Sequence, residues 1–144
     1  MLGPVQFKLL KQIWKGQKVI REGPSRAIFW VVLKRGNQCI EYGLDSDPIH
    51  NSRVACLPFV QKGIIQLWKT EGEVPPRSLL NTTKNTPSTI SVLDQGAAIV
   101  RDGLSSTHLE LRLKGEKLQG VWVVAKQKDS KLWTFVRIDG TQWP

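Results

Sequence analysis

Histidine is nearly missing from this 144-residue chain, which has two, His50 and His108, and none in residues 1–44. A hydrolytic metal centre needs several converging ligands, so imidazole has little to offer one here. Cysteine is as scarce: Cys39 and Cys56 sit in apolar-flanked runs without CxxC spacing. They read as small buried hydrophobes, with a disulfide as the minor alternative that a reducing compartment disfavours. No apolar run approaches the roughly 18 residues a membrane span needs. The opening MLGPVQFKLLKQ lacks the apolar core and cleavage site of a signal peptide, so the expected location is intracellular and cytoplasmic. No Walker loop, G-x-S-x-G elbow, H-E-x-x-H pair, internal repeat or low-complexity tract is present, and no motif signals a reaction.

Charge and tryptophan are what the chain has in excess. Its net charge is +9, and Lys8, Lys11, Lys15, Lys18, Arg21, Arg26, Lys34 and Arg35 face only Glu22 in residues 1–35, a net +7 from one quarter of the chain. Such clustering is the electrostatic footprint of a protein that meets phosphate backbones, although a solubilising face has the same composition. Six tryptophans, at 14, 30, 68, 122, 133 and 143, are spread about one per apolar segment. That spacing suits core and rim packing, with Trp14 among its lysines as the candidate for stacking on bases.

The periodicity is that of strands. Residues 109–113, 118–125 and 132–138 are apolar runs separated by Gly- and Lys-rich breaks, and Leu109, Leu111 and Leu113 alternate with charge, which predicts a three-stranded meander. AIFWVVL at 27–33 predicts a strand buried on both faces, and 38–44, 54–60 and 63–69 read as further strands. Residues 5–20 are ambiguous: Phe7, Leu10, Ile13 and Trp14 suit a short helix, while 17–20 begins as a strand. Residues 45–53 form a polar loop, 71–87 is mostly loop, and SVLDQGAAIVRD at 91–102 is the best helix candidate, weakened by Gly96. The expectation is one domain, all-β and mainly antiparallel: a closed or nearly closed barrel of about 7–8 strands with one or two short helices.

HLELRLKGEKLQGVWVVAK, followed by KLWTFVRID, resembles the end of the 3′-phosphoesterase domain of bacterial DNA ligase D. There a leucine-alternating strand, a G-E-K-L-x-G turn and two tryptophan-bearing strands close a barrel. GIIQLWKTEGEVPP, LPFVQKG and FWVVLKRG look like earlier strands of that family, and DSDPIHN occupies the place of its E-D-H-P-L-D-Y. The resemblance implies a site in which a divalent metal, typically manganese, helps remove a 3′-phosphate or terminal ribonucleotide. It also implies which positions would carry that site, and they are altered. Leu10 stands where the first histidine would be, Gly16, Lys18 and Ile20 stand for His, Asp and Arg, Asp47 replaces the second histidine, and Asn51 the tyrosine. An ammonium at Lys18 repels the ion a carboxylate would hold.

The sequence therefore points to a degenerate phosphoesterase-like barrel that binds DNA or RNA ends through Lys8, Lys11, Trp14, Lys15, Lys18, Arg21, Arg26, Lys34 and Arg35, in a repair context, with no cofactor of its own. Two alternatives stay open: a metal-dependent 3′-end phosphoesterase rebuilt around Asp45, Asp47 and His50, and a docking module for a repair ligase, primase or Ku-type partner.

Overall fold

The computed structural model describes residues 4–14, 27–57, 66–69, 71–75, 88–101, 108–127 and 132–138. Among these, nine strands and one helical turn follow one another: β1 (Val5–Trp14), β2 (Ala27–Arg35), β3 (Gln38–Leu44), β4 (Arg53–Leu57), α1 (Gln66–Lys69), β5 (Gly72–Val74), β6 (Ser88–Val100), β7 (His108–Lys114), β8 (Gln119–Lys126) and β9 (Trp133–Ile138). Neighbours run β1-β2-β3-β4-β9-β8-β7-β6, and β6 pairs back onto β1, closing an eight-stranded antiparallel barrel with β5 added outside on β6. Closure removes the exposed edges that an open sheet of such apolar strands would present.

Alternation along each strand fills the barrel. Val5, Phe7 and Leu9 of β1, Val31 and Leu33 of β2, Ile40, Tyr42 and Leu44 of β3, Leu109, Leu111 and Leu113 of β7, Trp122 and Val124 of β8 and Phe135 of β9 form one buried cluster. Eight strands leave an interior just wide enough for side chains to fill. A second, smaller cluster lies on the outer face: Leu10, Val32, Cys39, Val74 and Ile90, with Trp30, Trp68 and Val92 packed against it. The expected strand at 27–33 is thus buried on both faces because β2 serves both layers, Val31 and Leu33 inward and Val32 outward. Cys39 and Cys56 are buried and free, one in each layer.

Where a helix is expected at 91–102, residues 91–100 are instead strand, the greater part of β6. Its ladder with β1 runs from Val5↔Ala98 to Trp14↔Ser88, broken between Leu9 and Leu10, where Leu9 faces Asp94 but Leu10 faces Val92. This bulge keeps both Asp94 and Leu93 turned toward the main core while Val92 and Ile90 serve the outer layer. β1 is a strand rather than a short helix for the same reason, since its inner and outer residues meet different clusters at period two. The expected strand at 63–69 is corrected at its end: Gln66–Lys69 is a single helical turn, α1. Within the loop expected at 71–87, Gly72–Val74 is strand β5. Residues 15–20 and 58–65, parts of other expected segments, lie outside the described residues.

Gly96 is required by contact rather than conformation: a Cβ there would meet the backbone carbonyl of Lys114 on β7. Gly96→Ala should force the two strands apart and cost about 1–3 kcal/mol in a urea unfolding experiment. An unchanged midpoint would place β6 and β7 farther apart than this fold has them.

Candidate nucleic-acid interface and the 45–52 loop

The three residues expected as weak metal candidates lie in the turn joining β3 to β4. Asp47 organises it: Oδ1 accepts the Ile49 amide at 2.8 Å, Oδ2 lies 2.9 Å from His50 Nδ1, and Asn51 Nδ2 donates to the Asp47 carbonyl at 2.8 Å. Asp45 takes a different neighbour, accepting the Ser46 hydroxyl at 3.1 Å. This network is a side-chain-closed turn. Its product is the placement of Ile49, which packs against the main core from the loop side. Asp47 and His50 do meet, but both Asp47 oxygens already serve the turn, and among the described residues no three His, Cys, Asp or Glu side chains could hold an ion together. The position implied for the first histidine of the phosphoesterase family is no closer to a site. Leu10 is buried in the outer layer among Val32, Val74 and Ile90, on the opposite side of the barrel wall from the core that Ile49 joins. Gly16, Lys18 and Ile20 lie outside the described residues. The residues present do not fit the family's metal site. Asp47→Ala should loosen the turn and cost about 1 kcal/mol of stability, measured by urea unfolding; a change above about 3 kcal/mol would mean that Asp47 holds more than its turn.

The basic residues divide according to strand alternation. Lys8 and Lys11 are three apart on β1 and so leave opposite faces. Lys8 points outward, donates from Nζ to the Trp68 carbonyl at 2.8 Å and sits 4.7 Å from the centroid of the Trp68 ring. Lys34 of β2 shares that outer face, its Nζ 5.7 Å from the same ring. Lys11 instead rests 5.6 Å from the ring of Phe29, a member of the main core. Arg35 donates to Gln38 Oε1 at 2.8 Å across the β2–β3 turn. The side chain of Trp14 and residues Lys15, Lys18, Arg21 and Arg26 lie outside the described residues.

What the fold assembles is therefore a patch of Lys8, Lys34 and Trp68, with Lys69 exposed next to Trp68 in α1. Trp68 and Lys69 were not among the residues that sequence reasoning selected, because QLWK read as the end of a strand and its tryptophan as packing. Two lysines against one indole gain from cation–π attraction and hold α1 onto the sheet. Lys8 uses one of its three N–H groups on the Trp68 carbonyl and keeps its charge and the remaining donors.

Beneath this patch the outer layer is partly polar. Trp30 Nε1 donates to Gln12 Oε1 at 3.0 Å, and Gln12 Nε2 donates to Ser88 Oγ at 2.9 Å, so those buried groups are satisfied. Glu41 is different. It is only 4 % exposed, its Oε2 has no hydrogen-bond partner among the described residues, and burial pushes its carboxyl up to about 7. Compared with known proteins, the chain matches no protein-family model, and no curated protein is significantly similar to it.

Proposed function

We propose that this barrel binds the sugar–phosphate backbone of nucleic acid, as an accessory to end repair, through the outer face of β1, β2 and α1. The observation that carries this reading is the meeting of Lys8 and Lys34 at Trp68, with Lys69 exposed next to it in α1, in a chain whose first 35 residues hold +7 of its net charge. Ammonium groups neutralise phosphates without reading bases, so binding should show little sequence preference. Cations interleaved with an aromatic ring are the arrangement that single-stranded backbones and bases use. The repair context comes from the resemblance to the ligase D phosphoesterase domain. The reading places no chemistry on the 45–52 loop.

Each phosphate contact releases counterions, so log affinity should fall against log salt with a slope of about 0.7–0.9 per contact. Fluorescence anisotropy with a labelled single strand and a labelled duplex measures that slope. Replacing Lys8, Lys34 and Lys69 together by Gln should flatten it by about two units or more, whereas Lys11→Gln, on the other side of the wall, should leave most of it in place. No binding of either probe at about 0.15 M salt would remove this function and leave a basic barrel with a solubilising surface.

A further inference from the structure

Glu41 lies on the outer face of β3 opposite Val32 of β2, and Lys34 of β2 lies opposite Cys39, two residues along the same face. Lys34 and Glu41 are therefore diagonal neighbours on adjacent strands, a spacing of about 7–8 Å that a long side chain spans easily. Yet the lysine is turned toward Trp68, and Glu41 Oε2 is left without a partner among the described residues, on the face that carries Val32 and Cys39 of the outer layer. A buried carboxyl with one oxygen unsatisfied, beside a reachable cation that contacts a ring instead, makes two arrangements of one latch.

We propose that Glu41 and Lys34 form a proton-controlled latch on the outer layer: with Glu41 protonated, Lys34 stays on Trp68 and α1 is docked; when Glu41 gives its proton to solvent, Lys34 leaves the ring to pair with the carboxylate, and α1 is released. The exchange is favoured because an ionised carboxylate in that layer is costly unless paired. Among the described residues, the other charged or titratable groups around it do not supply the partner. Cys39, on the same strand, is a buried thiol and no counter-ion, Lys8 of β1 is bonded to the Trp68 carbonyl, Lys69 of α1 is exposed to solvent, and Glu73 of β5 is exposed and of the wrong sign.

The sign of the effect follows from the raised proton affinity of Glu41. Below its ordinary value of 4.5 both states hold the proton; from there to about 7 only the docked state does, so release is increasingly favoured, and above about 7 the gain is complete. The ratio of released to docked α1 should rise by up to about two orders of magnitude across that window. The latch uses the Lys34–Trp68 contact of the proposed nucleic-acid face, which is assembled in the docked state; failure of the latch would leave that proposal standing.

The test is 19F NMR of the full chain labelled with 5-fluorotryptophan, with Trp68 assigned by Trp68→Phe and Trp122 used as the reporter of the intact barrel. In the wild type the Trp68 resonance should move from its docked toward its solvent position as pH rises from 4.5 to about 7 and level off above that, while Trp122 stays still. Glu41→Gln, neutral throughout, should hold Trp68 in the docked position over the whole range. Lys34→Met should move the midpoint upward, because the ionised carboxylate loses its partner. Should Glu41→Gln fail to fold, Glu41→Met provides a second neutral variant with the same expected outcome. A Trp68 resonance that ignores pH in the wild type, that titrates equally in the neutral variants, or that moves only together with Trp122 would overturn the latch.

Discussion

Trp122→Ala should lower the free energy of unfolding by about 3–5 kcal/mol, the range for emptying a large buried aromatic site. Trp122 is 1 % exposed at the centre of the barrel, stacked on Phe135 with ring centroids 4.5 Å apart at 14°. Its Nε1 donates to the Gln119 carbonyl at 3.0 Å. Alanine would remove the ring, strand one face of Phe135 and leave that carbonyl without its donor. Trp122→Phe keeps most of the volume and loses the hydrogen bond, so a smaller cost of about 1–2 kcal/mol is expected. Urea unfolding with an unchanged m-value separates the two variants. A loss below about 1 kcal/mol for the alanine variant would mean that β8 does not close the barrel as described.

The second large effect is expected at Asp94, a carboxylate turned toward the core from the bulge in β6. It accepts backbone amides from Glu116, Lys117 and Leu118 at 3.2, 2.9 and 2.7 Å, and so holds the β7–β8 turn against β6. Gly115 stands directly beside the carboxylate, where a Cβ would collide with Asp94 and with the ring of Phe7. Asp94→Ala leaves three amides without their acceptor, and stability should fall by roughly 3 kcal/mol or more. Asp94→Asn, with one oxygen kept, should cost about half as much. Burial pushes the Asp94 carboxyl up, but the amide hydrogen bonds from Leu118, Lys117, Gln95 and Glu116 outweigh it and hold the group below its ordinary value of 3.8. A depressed acid contributes stability that is present above 3.8 and disappears as pH falls through its folded value. The wild type should therefore lose stability on acidification more steeply than Asp94→Asn, and parallel curves would show that the carboxylate is not the turn's anchor. Glu41 tilts the profile in the opposite sense, since its raised carboxyl loses stability as pH rises from 4.5 to about 7.

The meander at 108–138 was legible because its alternation is complete within each strand: Leu109, Leu111 and Leu113 point one way, and the breaks have hairpin length. The same holds for β3, where Ile40, Tyr42 and Leu44 line the core. β6 was not legible, because the facts that make it a strand lie in other elements. Asp94 is tolerable toward the core only because three amides of a turn more than twenty residues later reach it, and Gly96 is needed only because the Lys114 carbonyl passes over it. Read without those partners, an acid and a glycine among alanines and valines fit a weak helix better. β1 was ambiguous because Leu10 and Phe7 are both buried, which looks like a helical face until a second core appears outside the barrel.

Trp133, partly buried against the core and paired with Cys56 and Lys126 at the ends of its ladders, is less enclosed than Trp122. The charge cluster of the first quarter was legible as a quantity, but its geometry was not. Counting lysines on a strand says nothing of the two faces, and alternation sends Lys8 to Trp68 and Lys11 to Phe29. The indole that organises Lys8 and Lys34 comes from a helical turn that the sequence disguised as a strand.

The most direct test of the nucleic-acid reading is a map of where a strand touches the protein: backbone amide shifts of the 15N-labelled chain, titrated with a short single-stranded oligonucleotide in moderate salt. The changes should concentrate at residues 6–10, 30–36 and 66–69, around Lys8, Lys34 and Trp68, and should disappear when Lys8, Lys34 and Lys69 are replaced by Gln. Changes centred on residues 45–52 and the Lys11 end of β1, or none at all, would contradict it.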